Sequence, residues 1–223
     1  MATKPRVLLI SLDLQPFFDD QYSALIDALC NRATIQRAKT ADPAIRKLSE
    51  DESAPLVAVL ITDAVLANKK NTGKRVWDAV LAYVRRGGTA VVMGHFSSFV
   101  KPLNVKPFFE QAGLPWEAGV YHRTTTSLNR TVVAEMLTAV GKLPQSYSQK
   151  ALAVKNVAPE HVWYASSPDS VIESAVFAPD NAHTPGQAAV ALANVGEGRL
   201  GYLGDVNAEA ESNAVVLAMC GFL

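Results

Sequence analysis

The sequence predicts an α/β protein with three layers, in which helices cover both faces of a mainly parallel β-sheet. Within the first 93 residues, four short runs of β-branched and leucine residues are typical of strands buried on both faces. Amphipathic segments separate these runs, as in right-handed crossovers between parallel strands. The 223 residues contain no internal repeat, low-complexity tract or linker, which favours one domain spanning residues 1–223.

The elements of this half follow in order along the chain. The predicted strands are residues 6–12, 33–38, 56–61 and 89–93. Asp19 or Asp20 is expected to cap the first helix, and Asp42 followed by Pro43 begins the second. The third helix has an apolar stripe along residues 76–84 and ends at two glycines. Such alternation is typical of a doubly wound, flavodoxin-like sheet.

The second half has fewer regular patterns. The segments 119–127, 150–157 and 173–178 are predicted strands, and the segments 107–112, 132–140 and 209–222 are predicted helices. The clearest signal is a C-terminal β-hairpin, in which apolar runs at 188–195 and 199–203 flank a Gly-Glu-Gly turn.

Composition excludes several classes of protein. Apolar residues make up 49% of the chain, and 21 basic residues balance 21 acidic ones, so neither disorder nor a general nucleic-acid-binding surface is expected. No secretory signal and no apolar run long enough to span a bilayer occur, which predicts a cytoplasmic protein without membrane contact. Cys30 and Cys220 lie in apolar helical patterns and are expected to be buried, reduced thiols.

Two short motifs give the sequence a resemblance to a known family. They are GEGRLGYLGD at 196–205 in the hairpin and VVMGHFSS at 91–98 after the fourth strand. With the element order, they resemble the class I glutamine amidotransferase-like superfamily and, within it, the ThuA-like (trehalose utilisation) group. The resemblance implies an amidotransferase-like fold over most of the chain.

The same resemblance implies that glutaminase chemistry is absent. Working amidotransferases carry a cysteine nucleophile at a strand-to-helix turn, where a nearby imidazole lowers the thiol pKa. Here the corresponding turn offers His95, and neither cysteine lies at a turn.

Candidate site residues lie in loops after the predicted strands, because ligands of open parallel sheets bind outside the carboxyl ends of the strands. His95, Ser97 and Asp63 are the catalytic candidates, with His95 as general base or ligand. They have the residue types of a hydrolytic triad, but no G-x-S-x-G motif is present. The candidates for substrate binding are Asp13, His122, Asp205 and Asn207. The competing interpretation makes all of them turn, cap and loop residues.

No metal or other cofactor is predicted, because the four histidines are widely spaced and no paired-ligand motif occurs. The leading hypothesis is a non-glutaminase protein that binds a small polar metabolite, and it leaves open whether that ligand is hydrolysed, isomerised or only bound. The alternative is a non-catalytic protein that self-associates, as a homodimer, through an apolar surface around Phe96–Trp116. The aromatic residues of that segment would equally form part of the core.

Overall fold

The computed structural model describes residues 4–49, 54–68, 71–136, 140–176 and 178–223. These residues form ten strands in one sheet and eight α-helices. The strands are β1 Arg6–Ile10, β2 Thr34–Ala38, β3 Leu56–Ile61, β4 Thr89–Val92, β5 Glu117–Leu128, β6 Ser146–Lys155, β7 Val162–Ser166, β8 Gln187–Ala188, β9 Val190–Val195 and β10 Gly198–Leu203. The helices are α1 Phe18–Gln21, α2 Ser23–Cys30, α3 Ala41–Ser49, α4 Asn71–Arg85, α5 His95–Phe99, α6 Pro102–Glu110, α7 Arg130–Met136 and α8 Ala210–Met219. None of the helices in these ranges has both the length and the apolar character needed to cross a membrane.

The sheet is mixed, which corrects the expectation of a mainly parallel one. Its strand order is β2-β1-β3-β4-β10-β9-β7-β5-β6-β8. The first five strands in this order are parallel, and every pairing from β10 to β8 is antiparallel. The physical reason is visible in β5, whose C-terminal residues alternate between buried and exposed. A strand with one solvated face suits an antiparallel sheet, whereas the fully buried β1 suits a parallel one.

The C-terminal hairpin is confirmed. Strands β9 and β10 pair in antiparallel register from Val190 opposite Leu203 to Val195 opposite Gly198. Gly196 has φ +63°, and a Cβ there would lie 2.8 Å from the Cα of Arg85. The turn therefore needs glycine for both its backbone conformation and its close approach to α4.

The segment between the two halves differs from the prediction. The predicted strand 173–178 is absent among the described residues there, and residue 177 lies outside them; Val171 instead makes a single bridge to Asn181. Strand β7 was not predicted, although turn residues at 158–161 and 167–170 flank it. Helix α7 ends at Met136, and residues 137–139 of the predicted helix lie outside the described ranges.

Two apolar clusters lie on opposite faces of the parallel strands. Along β1, Leu8 and Ile10 belong to one cluster, and Val7 and Leu9 belong to the other, as expected where side chains alternate. Helices α3, α4 and α6 cover the first cluster, and α2 and α8 cover the second.

Burial places most of the Phe96–Trp116 aromatic residues in the core, the second of the two interpretations left open, and it corrects the expectation for Cys30. Four aromatic residues of the expected self-association surface are core residues, each at most 1% exposed: Phe96, Phe108, Phe109 and Trp116. Phe99 alone of that group is exposed. Cys220 is buried as predicted, but Cys30 is exposed, because it ends α2 next to Leu29 and points away from the apolar face.

Candidate functional site

The carboxyl ends of β1, β3, β4 and β10 meet at one edge of the sheet, here called the carboxyl edge. The loops after β1 and β3 are joined there by two contacts. The Ser11 and Thr62 hydroxyl oxygens are 2.8 Å apart, and the backbone N–H of Asp13 donates to Asp63 Oδ2 at 2.9 Å. Ligand sites of doubly wound sheets lie at such an edge, where neighbouring loops diverge.

Both carboxylate oxygens of Asp63 accept backbone hydrogen bonds in these loops. Oδ2 accepts from Asp13, and Oδ1 accepts from the backbone N–H of Val65 at 2.9 Å, which caps the short 3₁₀ helix Ala64–Ala67. Burial raises the pKa of this carboxyl, against the backbone hydrogen bonds that favour its charged form. The side chain of Asp13 is exposed.

Asp205 holds the loop after β10 in a similar way. Its Oδ1 accepts from the backbone N–H of Asn207 at 2.8 Å, and its Oδ2 accepts from Glu209 at 2.7 Å. Burial raises the pKa of Asp205 as well. The side chain of Asn207 is exposed, and its backbone makes the contact to Asp205. Both carboxylates therefore shape loops at the carboxyl edge.

The turn after β4 is a sharp strand-to-helix elbow with a glycine at its corner. Gly94 has φ +66° and ψ −132°, and His95 is the first residue of α5. Hydrolase nucleophiles occupy the strained corner of such an elbow. The corner position here is thus Gly94, one residue before the His95 that the sequence assigned to it. A Cβ at Gly94 would lie 3.1 Å from the Phe18 ring.

His95 is held in one orientation by Gln21. Its Nε2 lies 2.9 Å from Gln21 Oε1, while Gln21 Nε2 donates to the backbone carbonyl of Val206. Because the Gln21 oxygen must accept, we assign the imidazole proton to Nε2. Burial lowers the pKa of His95, so the ring is neutral at pH 7. Within the described residues, Nδ1 has no hydrogen-bond partner.

Aromatic rings surround His95. Phe18 and Tyr22 pack against it from the core, and Phe17 and Phe99 cover it from outside, with centroids 5.0 and 5.4 Å from the imidazole. His95 is 2% exposed, whereas Phe17 is 50% and Phe99 is 54% exposed. The imidazole therefore lies directly beneath the surface, under two half-exposed rings.

Ser97 points into the fold. Its hydroxyl lies 3.1 Å from the Tyr202 hydroxyl, which itself donates to the carbonyl of Leu152, and 3.3 Å from the carbonyl of Leu203. In the described part of the chain, no hydrogen bond joins His95 to Ser97 or to Asp63. The three catalytic candidates thus share one edge but make separate contacts.

A surface cavity of about 260 Å³ adjoins this site. It is lined by Ser97, Ser98, Val100, Pro102, Tyr121 and Leu152. His122, the remaining binding candidate, lines a different cavity in the antiparallel part of the sheet. Sequence reasoning missed Gln21, Phe17 and Tyr121, since a lone glutamine or aromatic residue carries no motif that marks it.

The donor groups present do not suggest a metal centre. Among the described residues, no three His, Cys, Asp or Glu side chains are grouped to hold a metal ion. Cys30 does not supply a thiol nucleophile at the carboxyl edge. The Lys4 ammonium, just before β1, donates to the backbone carbonyl of Cys30, which therefore lies at the opposite end of the sheet.

The fold and site define a mixed-sheet α/β protein with a nucleophile-free elbow. Neither a family model nor a curated protein matches the sequence. Solved structures do match. A protein from Bacteroides uniformis described as ThuA-like has a TM-score of 0.62 and 13% identity, covering 97% of this chain and 91% of its own. One from Parabacteroides merdae, also described as ThuA-like, has a TM-score of 0.52 and 12% identity over 99% and 91%.

A cytoplasmic protein from Salmonella typhimurium is similar in the same way, with a TM-score of 0.52 and 11% identity over 97% of this chain and 96% of its own. The resemblance to the ThuA-like group is therefore confirmed at the level of the fold.

Proposed function

We propose that this chain is a non-glutaminase protein that binds a small polar metabolite at the carboxyl edge, with His95 as the residue that recognises it. The observation that carries the proposal is the state of the His95 imidazole. Its Nε2 proton is committed to Gln21, and its Nδ1 lone pair has no partner in the described residues. A neutral imidazole with one fixed proton is an acceptor for a hydroxyl or amine of a ligand.

The surroundings of His95 indicate the kind of ligand. Phe17 and Phe99 present half-exposed ring faces beside the imidazole, and the cavity next to Ser97 and Tyr121 has room for a small molecule. Binding sites commonly combine apolar walls with a few polar groups that fix orientation. The edge therefore suits a molecule that carries a hydroxyl or amine donor next to an apolar face.

Of the reactions left open by the sequence, the geometry favours proton transfer over hydrolysis by a serine. A serine hydrolase needs its hydroxyl within hydrogen-bond reach of the base. The Ser97 hydroxyl is instead directed to Tyr202 and Leu203. In this proposal the Nδ1 of His95 accepts a proton from a bound ligand, as an isomerase would require. Asp63 and Asp205 act in this proposal as positioning residues that set the loops.

Two variants of His95 distinguish the roles of its two ring nitrogens. The amide of His95→Asn overlays Nδ1 and keeps an acceptor there, whereas the amide of His95→Gln overlays Nε2 and keeps the contact to Gln21. A thermal-shift screen of sugars, polyols, amino acids and nucleosides on the wild-type chain would identify a ligand. At 100 times its Kd, a ligand adds about 2.7 kcal/mol, or roughly 5–11 °C for a chain of this length.

We expect His95→Asn to keep part of that shift and His95→Gln to lose it. Leu103→Ser, at an exposed side chain of α6, is the control and should keep the full shift. If His95→Gln binds as well as the wild type, Nδ1 does not recognise the ligand and the proposal fails.

Self-association remains the second candidate, and exposed apolar residues on α5 and α6 favour it. Phe99 is 54% and Leu103 is 90% exposed. Sedimentation velocity would show a dimer that Phe99→Ser and Leu103→Ser convert to monomer; a wild-type monomer at high concentration would contradict this role. The Salmonella neighbour is described as cytoplasmic, and we propose the same location for this chain.

A further inference from the structure

The antiparallel part of the sheet contains a small cavity, lined by polar and apolar residues, that is separate from the carboxyl edge. Strands β5 and β6 supply most of its lining, and residues around β8 close it. Ala151 and Ala153 face this cavity, whereas Leu152 between them lines the cavity beside Ser97. Because successive residues of a strand point to opposite faces, the two cavities lie on opposite sides of β6.

Gln149 is the unusual residue of this cavity. Its side chain is 0% exposed, and its Nε2 donates to the Thr126 hydroxyl at 2.8 Å. Its Oε1 has no hydrogen-bond partner. A buried carbonyl left unpaired costs about 1–3 kcal/mol, so a donor that enters the cavity would be bound favourably at this atom.

The other polar groups of the lining also lack charge, and several of them already make hydrogen bonds within the fold. The Thr124 hydroxyl donates to the carbonyl of Val171 at 2.7 Å, which leaves only its lone pairs for a guest. Gln187 Oε1 accepts from the backbone N–H of Val120. Burial lowers the pKa of His122, which keeps that imidazole neutral at pH 7. In the part of the chain that the structure describes, no Asp, Glu, Lys or Arg lines the cavity.

The size of the cavity limits what enters it. Its volume is about 20 Å³, and a single water-sized group needs about 10–15 Å³. An outer cavity of about 240 Å³ shares Ser166, Thr184 and Gln187 with it. The outer walls are mainly apolar, with Val157, Pro159 and Val162 among them. The inner space fits one donor group, and the outer space fits the rest of a small molecule.

We propose that the two cavities form one binding site for a small uncharged alcohol, whose terminal hydroxyl donates to Gln149 Oε1 while its carbon chain lies against Val157 and Val162. The site is independent of the proposed function at His95, since it uses none of the residues of the carboxyl edge.

An NMR titration of the full chain tests this site. The probes are 1,4-butanediol and its dimethyl ether, which has a similar chain but no donor. We expect the diol to shift the Gln149 side-chain amide and the Val162 methyl signals saturably, and the ether to bind at least tenfold more weakly. His95→Gln should bind the diol as the wild type does, which separates this result from the fate of the carboxyl-edge proposal.

Two variants address the two cavities separately. Gln149→Met removes the unpaired oxygen at nearly constant volume and should weaken diol binding at least tenfold without loss of stability. Ala165→Phe fills the outer cavity and should abolish binding while the Gln149 signals keep their unliganded positions. Gln111→Met makes the same substitution at an exposed residue directly after α6 and is the matched control.

Three results would overturn the proposal. The first is that Gln149→Met binds the diol as tightly as the wild type, and the second is that the diol and the ether bind equally. The third is that the diol shows no saturable binding and a crystal soaked with it contains only a single water on Gln149 Oε1.

Discussion

Substitution of Gly94 by alanine tests whether the elbow after β4 is strained as its geometry indicates. At φ +66° and ψ −132°, an L-residue lies outside its ordinary regions, which costs about 1–3 kcal/mol. The new Cβ would also lie 3.1 Å from Phe18 Cε2 and 3.4 Å from the carbonyl oxygen of Thr62. Displacement of the Phe18 ring from its rotamer adds about 0.5–1.5 kcal/mol. The free energy of unfolding should therefore fall by roughly 2–4 kcal/mol.

Urea unfolding monitored by tryptophan fluorescence measures this loss. Gly113→Ala is the matched control, because Gly113 also has a positive φ, +80°, but a Cβ there would meet nothing within 4 Å. It should lose only the backbone cost of about 1–2 kcal/mol. If Gly94→Ala is no less stable than Gly113→Ala, Phe18 and Thr62 do not restrict the corner, and the predicted steric cost of a side chain at Gly94 is wrong.

Three further predictions concern charge and exposure. Asp63→Asn should cost about 1–3 kcal/mol in urea unfolding, because an amide nitrogen then faces a backbone N–H; Asp13→Asn should stay within about 0.5 kcal/mol, and equal losses would contradict the role of the Asp63 carboxylate. His95 has a folded pKa below the 6.5 of a free imidazole, so its contribution to stability is present above that pH and declines as pH falls below it. The stability of the wild type relative to His95→Gln should decrease between about pH 7.5 and pH 5, and a constant difference would exclude this titration. A thiol reagent should label one cysteine in the native protein, Cys30, because burial raises the pKa of Cys220 to about 12; rapid labelling of both thiols would refute the burial of Cys220.

The elbow also bears on the resemblance to the glutamine amidotransferase-like superfamily that the sequence motifs suggested. The motif resemblance put His95 at the turn where a working amidotransferase has its cysteine, whereas the backbone places Gly94 at the corner and His95 on the first turn of α5. His95 therefore lies next to the corner position rather than at it. It follows the corner in the chain, where the hydrogen bond to Gln21 and burial determine the protonation state of its imidazole.

The sequence alone identified most elements of the parallel part of the sheet, because strands such as β1 and β3 and helices such as α4 carry strong periodic patterns. It also identified the hairpin, whose glycine turn is a local signal. It did not reveal the antiparallel pairing of β5, β6 and β7, since the partner of a strand depends on residues far away in the chain.

For the candidate site, the sequence determined which loops carry polar residues and that no cysteine lies among them. Only the tertiary structure decided what each residue contacts there. Asp63 meets the backbone of Asp13, 50 positions away, and His95 meets Gln21, 74 positions away. Hydrogen-bond partners this distant leave no spacing in the sequence, yet they determine which loops the Asp63 carboxylate joins and which imidazole nitrogen of His95 is hydrogen-bonded.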